Sequence, residues 1–196
     1  MKDAKIKYLV RLSLLIAIEL ILAYTPLGYF KTAGLEITFL MIPVVVAGIT
    51  MGPLAGSIVG SVFGLTSFAT CFGTSVFGAM MLSINPIYTF IVCVPTRILA
   101  GYFAGLIYKV LKSKNTNIPL LVTSLLGPIS NTIFFMLALV ICFYNSQPIQ
   151  DIATALNTTN PFAFVIAFVG LQGLIEAVVV FIVSYLISKP LLKVMK

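Results

Sequence analysis

The sequence contains no histidine and no tryptophan, and only 9% of its 196 residues are charged. Without histidine, the chain lacks the commonest general base and the commonest metal ligand of proteins. Its five acidic residues are not clustered, and no GxxxxGK[ST] motif occurs, which excludes ATP hydrolysis by a P-loop. The chain is therefore predicted not to be an enzyme, with no catalytic residue, no metal ion and no cofactor.

Cysteine is also scarce: Cys71, Cys93 and Cys142 lie far apart in the sequence, each in an apolar stretch. No CxxC pair is present, so neither a zinc site nor a redox motif is predicted. Isolated cysteines in such surroundings usually act as small hydrophobic residues, and we expect that role for all three.

Hydrophobic residues, by contrast, make up 60% of the sequence, and its mean hydropathy is +1.15. Soluble domains carry about 25% charged residues, so this composition indicates an integral membrane protein. The net charge of +7 does not indicate a nucleic-acid partner. The positive residues stand at the ends of hydrophobic segments, whereas a nucleic-acid-binding protein would gather them on one solvent-exposed face.

Six hydrophobic segments predict an all-α integral membrane bundle of six transmembrane helices, forming a single domain over residues 1–196. The segments run from about Tyr8 to Tyr24, Thr38 to Met51, Leu54 to Phe72, Pro86 to Tyr108, Pro119 to Phe143 and Pro161 to Ile187. A spanning helix needs about 20 mostly apolar residues, so the second segment is short for a full crossing.

The basic residues predict the orientation of the bundle. Ten of the twelve stand before the first segment, between the fourth and fifth, or after the sixth: Lys2, Lys5, Lys7, Arg11, Lys109, Lys112, Lys114, Lys189, Lys193 and Lys196. With six spans these regions share one side, which the positive-inside rule makes cytoplasmic. We therefore expect a multi-pass protein of the bacterial plasma membrane with both termini in the cytoplasm.

The outer stretches, residues 26–37, 73–85 and 144–160, are predicted as loops that either cover a ligand or simply cross the headgroup region.

Polar residues interrupt four of the segments at similar depth. Glu19, Arg97, Asn131 and Gln172 each lie about 17 Å into their segment at about 1.5 Å per residue, near mid-bilayer. Glu176 follows Gln172 by one helical turn on the same face. Two interpretations stay open: an Arg–Glu ion pair with amide partners that stabilises the bundle, or the polar floor of a ligand pocket. A proton relay is a third.

Aromatic residues at helical spacing from these polar residues could form the walls of such a pocket. The predicted substrate-binding residues are Asn85, Tyr88, Arg97, Asn131, Phe135, Phe168 and Gln172. A separate pattern, Gly52, Gly56, Gly60 and Gly64, predicts a small-residue ridge that packs within the chain.

The chain resembles, over nearly its whole length, the S components of energy-coupling-factor (ECF) vitamin transporters. The stretches that carry the resemblance are TPLGY at 25–29, ITFLMIPVVVAGITMGPLAGSIVGSVFGLTSF at 37–68, VPTRILAGYFAGLIY at 94–108, GPISNT at 127–132 and QGLIEAVVV at 172–180. The resemblance implies six helices, a cytoplasmic N-terminus and an outward-facing substrate site built from three loops and the last three helices.

The resemblance also implies partners. An Ala-xxx-Ala face on the first helix of family members docks the transmembrane coupling protein (EcfT), and here Ser13 and Ala17 take that position. A pair of ABC ATPases would supply the energy. Many relatives carry Asn where this chain has Gln172, which weakens any transfer of substrate identity.

The leading hypothesis is therefore a subunit that captures a water-soluble vitamin for an ATP-driven importer. Pantothenate is the first candidate because Arg97 could pair with a carboxylate; riboflavin, a pyridoxine-like compound, folate and cobalamin are the others. The alternatives are a stand-alone proton-coupled carrier that uses Glu19 or Glu176, and a small membrane enzyme acting on lipids.

Overall fold

The computed structural model of the protein describes residues 2–31, 36–112 and 117–194. The elements in chain order are α1 (Lys2–Tyr24), β1 (Tyr29–Lys31), β2 (Glu36–Thr38), α2 (Met41–Met51), α3 (Pro53–Thr70), α4 (Val76–Ile84), α5 (Pro86–Leu111), α6 (Asn117–Phe143), α7 (Gln147–Ala155) and α8 (Pro161–Val194). The architecture is a helical bundle, as predicted, with one short antiparallel hairpin that pairs Tyr29 with Thr38.

The six predicted segments correspond to α1, α2, α3, α5, α6 and α8. Four of these helices, α3, α5, α6 and α8, are long and apolar enough to cross a membrane. The first helix carries several charged residues near its start, and α2 has only 11 residues. Length and composition therefore identify four candidate spans among the described residues.

The three predicted outer loops contain regular structure, which corrects the sequence-based expectation. The first holds the β1–β2 hairpin, the second holds α4, and the third holds α7. The Ser75 side chain accepts a hydrogen bond from the backbone N–H of Gly78 and so caps the start of α4. Ile149 and Ala153 of α7 are buried against the aromatic residues Phe143 and Phe164. Both short helices were missed because nine residues are too few for a hydropathy segment.

The second helix is buried at the centre of the bundle. Most of its residues are inaccessible to solvent, including Val44, Val45 and Ala47 at 0% exposure. It contacts α1, α3, α5, α6 and α8. A helix that is hydrophobic all round is stable where other helices surround it, which explains why so short a segment is so apolar.

Glycines allow α3 and α5 to pack with their backbones in close contact. A Cβ atom at Gly56 would overlap the carbonyl oxygen of Gly101, and one at Gly60 would overlap that of Arg97. The predicted intramolecular packing of this ridge is thus confirmed for Gly56, Gly60 and Gly64. Gly52 is not part of the ridge: it lies between α2 and α3 with φ +95°, where a turn requires the left-handed conformation.

The hairpin, α4 and α7 lie towards one end of the bundle, because each connects the end of one long helix to the start of the next. The basic residues of α1, α5 and α8 lie towards the other end: Lys5, Lys7, Arg11, Lys109, Lys189 and Lys193. The glycine contacts confirm that α3 and α5 run antiparallel, since Gly56 meets Gly101 and Gly64 meets Val94. The bundle is therefore polarised, with connecting elements at one end and positive charge at the other.

Candidate functional site

A cavity of about 120 Å³ lies among α3, α4, α5, α6, α8 and the hairpin. Its lining combines charged, amide, hydroxyl, thiol and aromatic groups: Tyr29, Thr38, Ser67, Thr70, Cys71, Ser75, Phe77, Gly78, Met81, Cys93, Arg97, Asn131, Thr132, Phe135, Val169, Gln172, Gly173 and Glu176. Many of these residues stand near the end of α3, in the first half of α5 or in the first half of α8. The cavity thus lies towards the end of the bundle opposite the basic residues.

Arg97 is the buried cation of this cavity, with only 7% of its surface exposed. Its Nη1 donates to the carbonyl oxygen of Val92 at 2.6 Å and to Oγ1 of Thr96 at 3.1 Å. The guanidinium also lies over the ring of Phe135, 4.4 Å from its centroid. The same carbonyl oxygen of Val92 also accepts a hydrogen bond from Oγ1 of Thr96, so Val92, Thr96 and Arg97 form one local cluster on α5.

The Arg–Glu ion pair that the sequence left open is not present among the described side chains. Glu19 is fully buried in α1, outside the cavity lining, and neither of its carboxylate oxygens has a hydrogen-bond partner. Glu176 lines the cavity, but its Oε2 accepts a hydrogen bond from the backbone N–H of Thr38 at 3.3 Å. No ion pair within 4.0 Å joins Arg97 to either carboxylate. The direct contacts of the Arg97 guanidinium are therefore with carbonyl, hydroxyl and aromatic groups, and its buried Nε has no hydrogen-bond partner. Glu176 in the same cavity acts on this charge only at longer range.

Asn131 and Gln172 bring amide groups to the same cavity from α6 and α8. Asn131 is 5% exposed, and its Oδ1 accepts no hydrogen bond within the described residues. A buried polar atom without a partner costs about 1–3 kcal/mol, so a ligand that donated a hydrogen bond here would recover that energy. Together with Arg97 and Phe135, these amides are the predicted site residues that the structure brings together.

Three other predicted site residues do not line the cavity. The Asn85 side chain accepts hydrogen bonds from the backbone N–H groups of Ile87 and Tyr88, so it caps the start of α5. The ring of Tyr88 is 44% exposed and packs edge-on against Phe143. Phe168 stacks on Phe164 with ring centroids 5.1 Å apart. Helical spacing does not predict the neighbour that each of these side chains faces.

The structure also adds cavity residues that sequence reasoning did not select. Tyr29 and Thr38 reach the cavity from the hairpin, and Ser67 and Thr70 from the last turns of α3. Cys71 and Cys93, expected to be separate apolar residues, lie together in its wall with their sulfur atoms 3.9 Å apart. A sequence signal existed for the α3 residues, because hydroxyl residues gather in its last turns, at Thr66, Ser67 and Thr70.

A second and larger cavity, of about 820 Å³, lies between α6 and α8. Its lining is almost wholly apolar and includes Met136, Val165 and Phe181, and α8 departs from helical geometry there at Gly170 (φ 26°, ψ −122°). It lacks the charged and amide groups that fix the orientation of a polar ligand. The smaller polar cavity is therefore the candidate substrate site.

The predicted docking residues lie elsewhere on the molecule. Ser13 and Ala17 are exposed on α1, on the surface that does not pack against α2 and α3. Their neighbours on this surface, Leu14 and Ile21, are also exposed, each at 58%. The surface is thus apolar with two small residues at its centre.

A family model described as ECF transporter, substrate-specific component, matches residues 7–188, which is nearly the whole chain. No curated protein matches the chain closely enough to serve as a relative. The family is one of membrane transporter components and not of enzymes, in agreement with the lack of catalytic motifs.

Proposed function

The chain belongs to the family of ECF transporter substrate-specific components, and we propose that it binds a small carboxylate-bearing vitamin in the cavity around Arg97. The observation that carries this proposal is the buried Arg97 guanidinium, which lines a cavity and forms no ion pair within 4.0 Å with a described carboxylate. Desolvated charge is costly unless it is paired, and a substrate carboxylate would supply the missing partner.

The cavity chemistry narrows the substrate class. Arg97 would pair with the carboxylate, while Asn131 and Gln172 both donate and accept hydrogen bonds and would hold amide or hydroxyl groups. Phe135 provides an apolar wall beside them. Pantothenate, which carries one carboxylate, one amide and two hydroxyls, matches this set and is our first candidate.

In the proposed arrangement six helices cross the membrane, with α1 and α2 added to the four long apolar spans. Both termini then lie in the cytoplasm with the basic residues, following the positive-inside rule. The cavity lies in the outer half, and the hairpin, α4 and α7 lie outside it as its cover. The support is the polarity of the bundle, with basic residues towards one end and the cavity towards the other.

Energy would come from other subunits. ECF substrate-specific components work in general with a transmembrane coupling protein and two ABC ATPases. We propose that the coupling protein docks on the exposed α1 surface around Ser13 and Ala17, because small residues let helix backbones approach closely within a membrane. The substrate would enter from outside and be released inward while this complex hydrolyses ATP.

Transport by reconstituted vesicles tests the proposal. Vesicles that contain this chain, the coupling protein and both ATPases should take up radiolabelled pantothenate when ATP is enclosed. Vesicles with the chain alone should bind the label but not accumulate it.

One observation favours a second candidate, a proton-coupled carrier. Glu19 is buried in α1 without a hydrogen-bond partner, as a proton-exchanging carboxyl within a membrane would be. The same vesicles distinguish the two functions. Uptake by the chain alone, driven by a proton gradient, would support the carrier and exclude the ATP-dependent importer.

A further inference from the structure

Cys71 and Cys93 form a buried thiol pair in the cavity wall. Their sulfur atoms are 3.9 Å apart, and each residue is 2% exposed. Cys71 follows the last residue of α3, and its sulfur also lies 3.4 Å from the carbonyl oxygen of Ser67. Cys93 stands one helical turn before Arg97 on α5, so both side chains lie on the same face of that helix.

The packing of α3 against α5 places the two cysteines within reach of a covalent bond. A disulfide has a sulfur–sulfur distance of about 2.05 Å and tolerates Cα separations of about 4.4–6.8 Å. Gly64 removes any side chain between the helices here: a Cβ atom at this position would lie 2.8 Å from Cα of Val94 and 3.0 Å from the carbonyl oxygen of Cys93. A shift of about 2 Å in the sulfur atoms, within the range of side-chain rotation, completes the bond.

We propose that Cys71 and Cys93 are a redox modification site, which closes to an intramolecular disulfide when a small disulfide oxidant enters the cavity. The bond would join the end of α3 to the turn of α5 that precedes Arg97. The inference depends on the geometry of the pair and not on which substrate the cavity binds.

The reaction is two successive thiol–disulfide exchanges. The thiolate of one cysteine attacks the S–S bond of the oxidant, forms a mixed disulfide and expels one small thiolate, which takes up a proton. The thiolate of the second cysteine then attacks the mixed disulfide, forms the Cys71–Cys93 bond and expels the second small thiol. Two protein thiols are oxidised, and the small disulfide is reduced to two thiols.

Cys142 provides an internal control. It lies one residue before the end of α6 and packs with a different group of side chains, around Phe143 and Phe164. Its thiol is only partly buried, so general oxidation of the protein would modify it at least as readily as the buried pair.

The test uses the whole protein in detergent, treated with bis(2-hydroxyethyl) disulfide, unfolded and alkylated with N-ethylmaleimide. Intact mass should show three labels before oxidation and one afterwards, with a loss of about 2 Da from the disulfide itself. The variant Cys142→Ser should fall from two labels to none, and peptide mapping should find Cys71 joined to Cys93. The melting temperature of the oxidised protein should rise by several degrees and return after reduction by a phosphine.

The outcomes that overturn the proposal need no variant to fold. Three labels retained on the oxidised wild-type protein would exclude the site, as would a disulfide that contains Cys142. Mixed disulfides at Cys71 and Cys93 without a bond between them would show that the pair does not close. Because labels are counted without substrate, these results are independent of whether pantothenate binds.

Discussion

At the scale of single residues, Arg97 is the side chain that should contribute most to the binding of a negatively charged substrate. Replacement by alanine should weaken binding of a carboxylate substrate at least tenfold, since charge-assisted hydrogen bonds contribute about 1.5–3 kcal/mol. Isothermal titration calorimetry with pantothenate measures this change. Leu99→Ala is the matched control on the same helix, because Leu99 is 52% exposed and lines neither of the two cavities described above. If the two variants bind equally well, Arg97 has a structural role only.

Asn131 and Asn85 should differ in role, because Asn131 lines the cavity and Asn85 caps the start of α5. Asn131→Ala should weaken substrate binding at least tenfold and change the melting temperature little, because Oδ1 of Asn131 has no partner to lose within the described residues. Asn85→Ala should instead cost about 1 kcal/mol of stability through the lost helix cap, with unchanged affinity. Calorimetry and thermal unfolding of both variants check the contrast, and the reverse pattern would move the site to Asn85.

The sequence predicts part of this site for a clear physical reason. Ionisable and amide groups are rare in apolar helices, so Arg97, Asn131 and Gln172 stand out, and their depth can be counted. Which side chain faces which helix depends on rotation and register, and counting does not supply these. For that reason Tyr88 and Phe168 were assigned to the cavity, while Cys71 and Cys93, 22 positions apart, were treated as unrelated.

At the scale of elements, the α3–α5 interface depends on glycine. Gly56→Ala should destabilise the protein by about 1–3 kcal/mol, because the added methyl group overlaps the carbonyl oxygen of Gly101 and the backbones must separate. Thermal unfolding in detergent measures the loss. Leu65→Ala, at a 52% exposed position of α3, should change the melting temperature much less. Equal losses in the two variants would contradict the claim that the close approach of α3 to α5 at Gly56 sets this stability.

The helices of the bundle differ in how well glycine spacing and hydropathy predict them from the sequence. Glycine at every fourth position predicts a packed face on α3, and hydropathy locates the six apolar segments. Neither signal detects α4 or α7, because both are nine residues long and α7 mixes polar and apolar residues. Their helical structure depends on tertiary contacts, such as those of Ile149 and Ala153 with the aromatic residues of α6 and α8.

At the scale of the whole molecule, binding and transport should be separable. Ala17→Trp should abolish ATP-dependent uptake and leave substrate affinity unchanged, because Ala17 is exposed and the described residues of α1 do not line the cavity. Leu99→Trp, at an exposed position of α5, should transport normally. Uptake assays in vesicles and calorimetry on the purified variants measure the two properties. Loss of binding in Ala17→Trp would show that the α1 surface is needed for folding and not for docking.

In the proposed function, one protein binds the substrate and others hydrolyse the ATP that drives transport. This chain binds its ligand before the other subunits act. Purified alone, the protein should therefore retain its substrate from the cells in which it is produced.

Mass spectrometry of the small molecules released from the purified protein tests this central claim most directly. We expect one small carboxylate-bearing compound, in an amount approaching one molecule per chain, that is retained by Leu99→Ala and absent from Arg97→Ala. Identical small-molecule profiles for the wild-type protein and Arg97→Ala would contradict the proposal that the cavity around Arg97 is the substrate site.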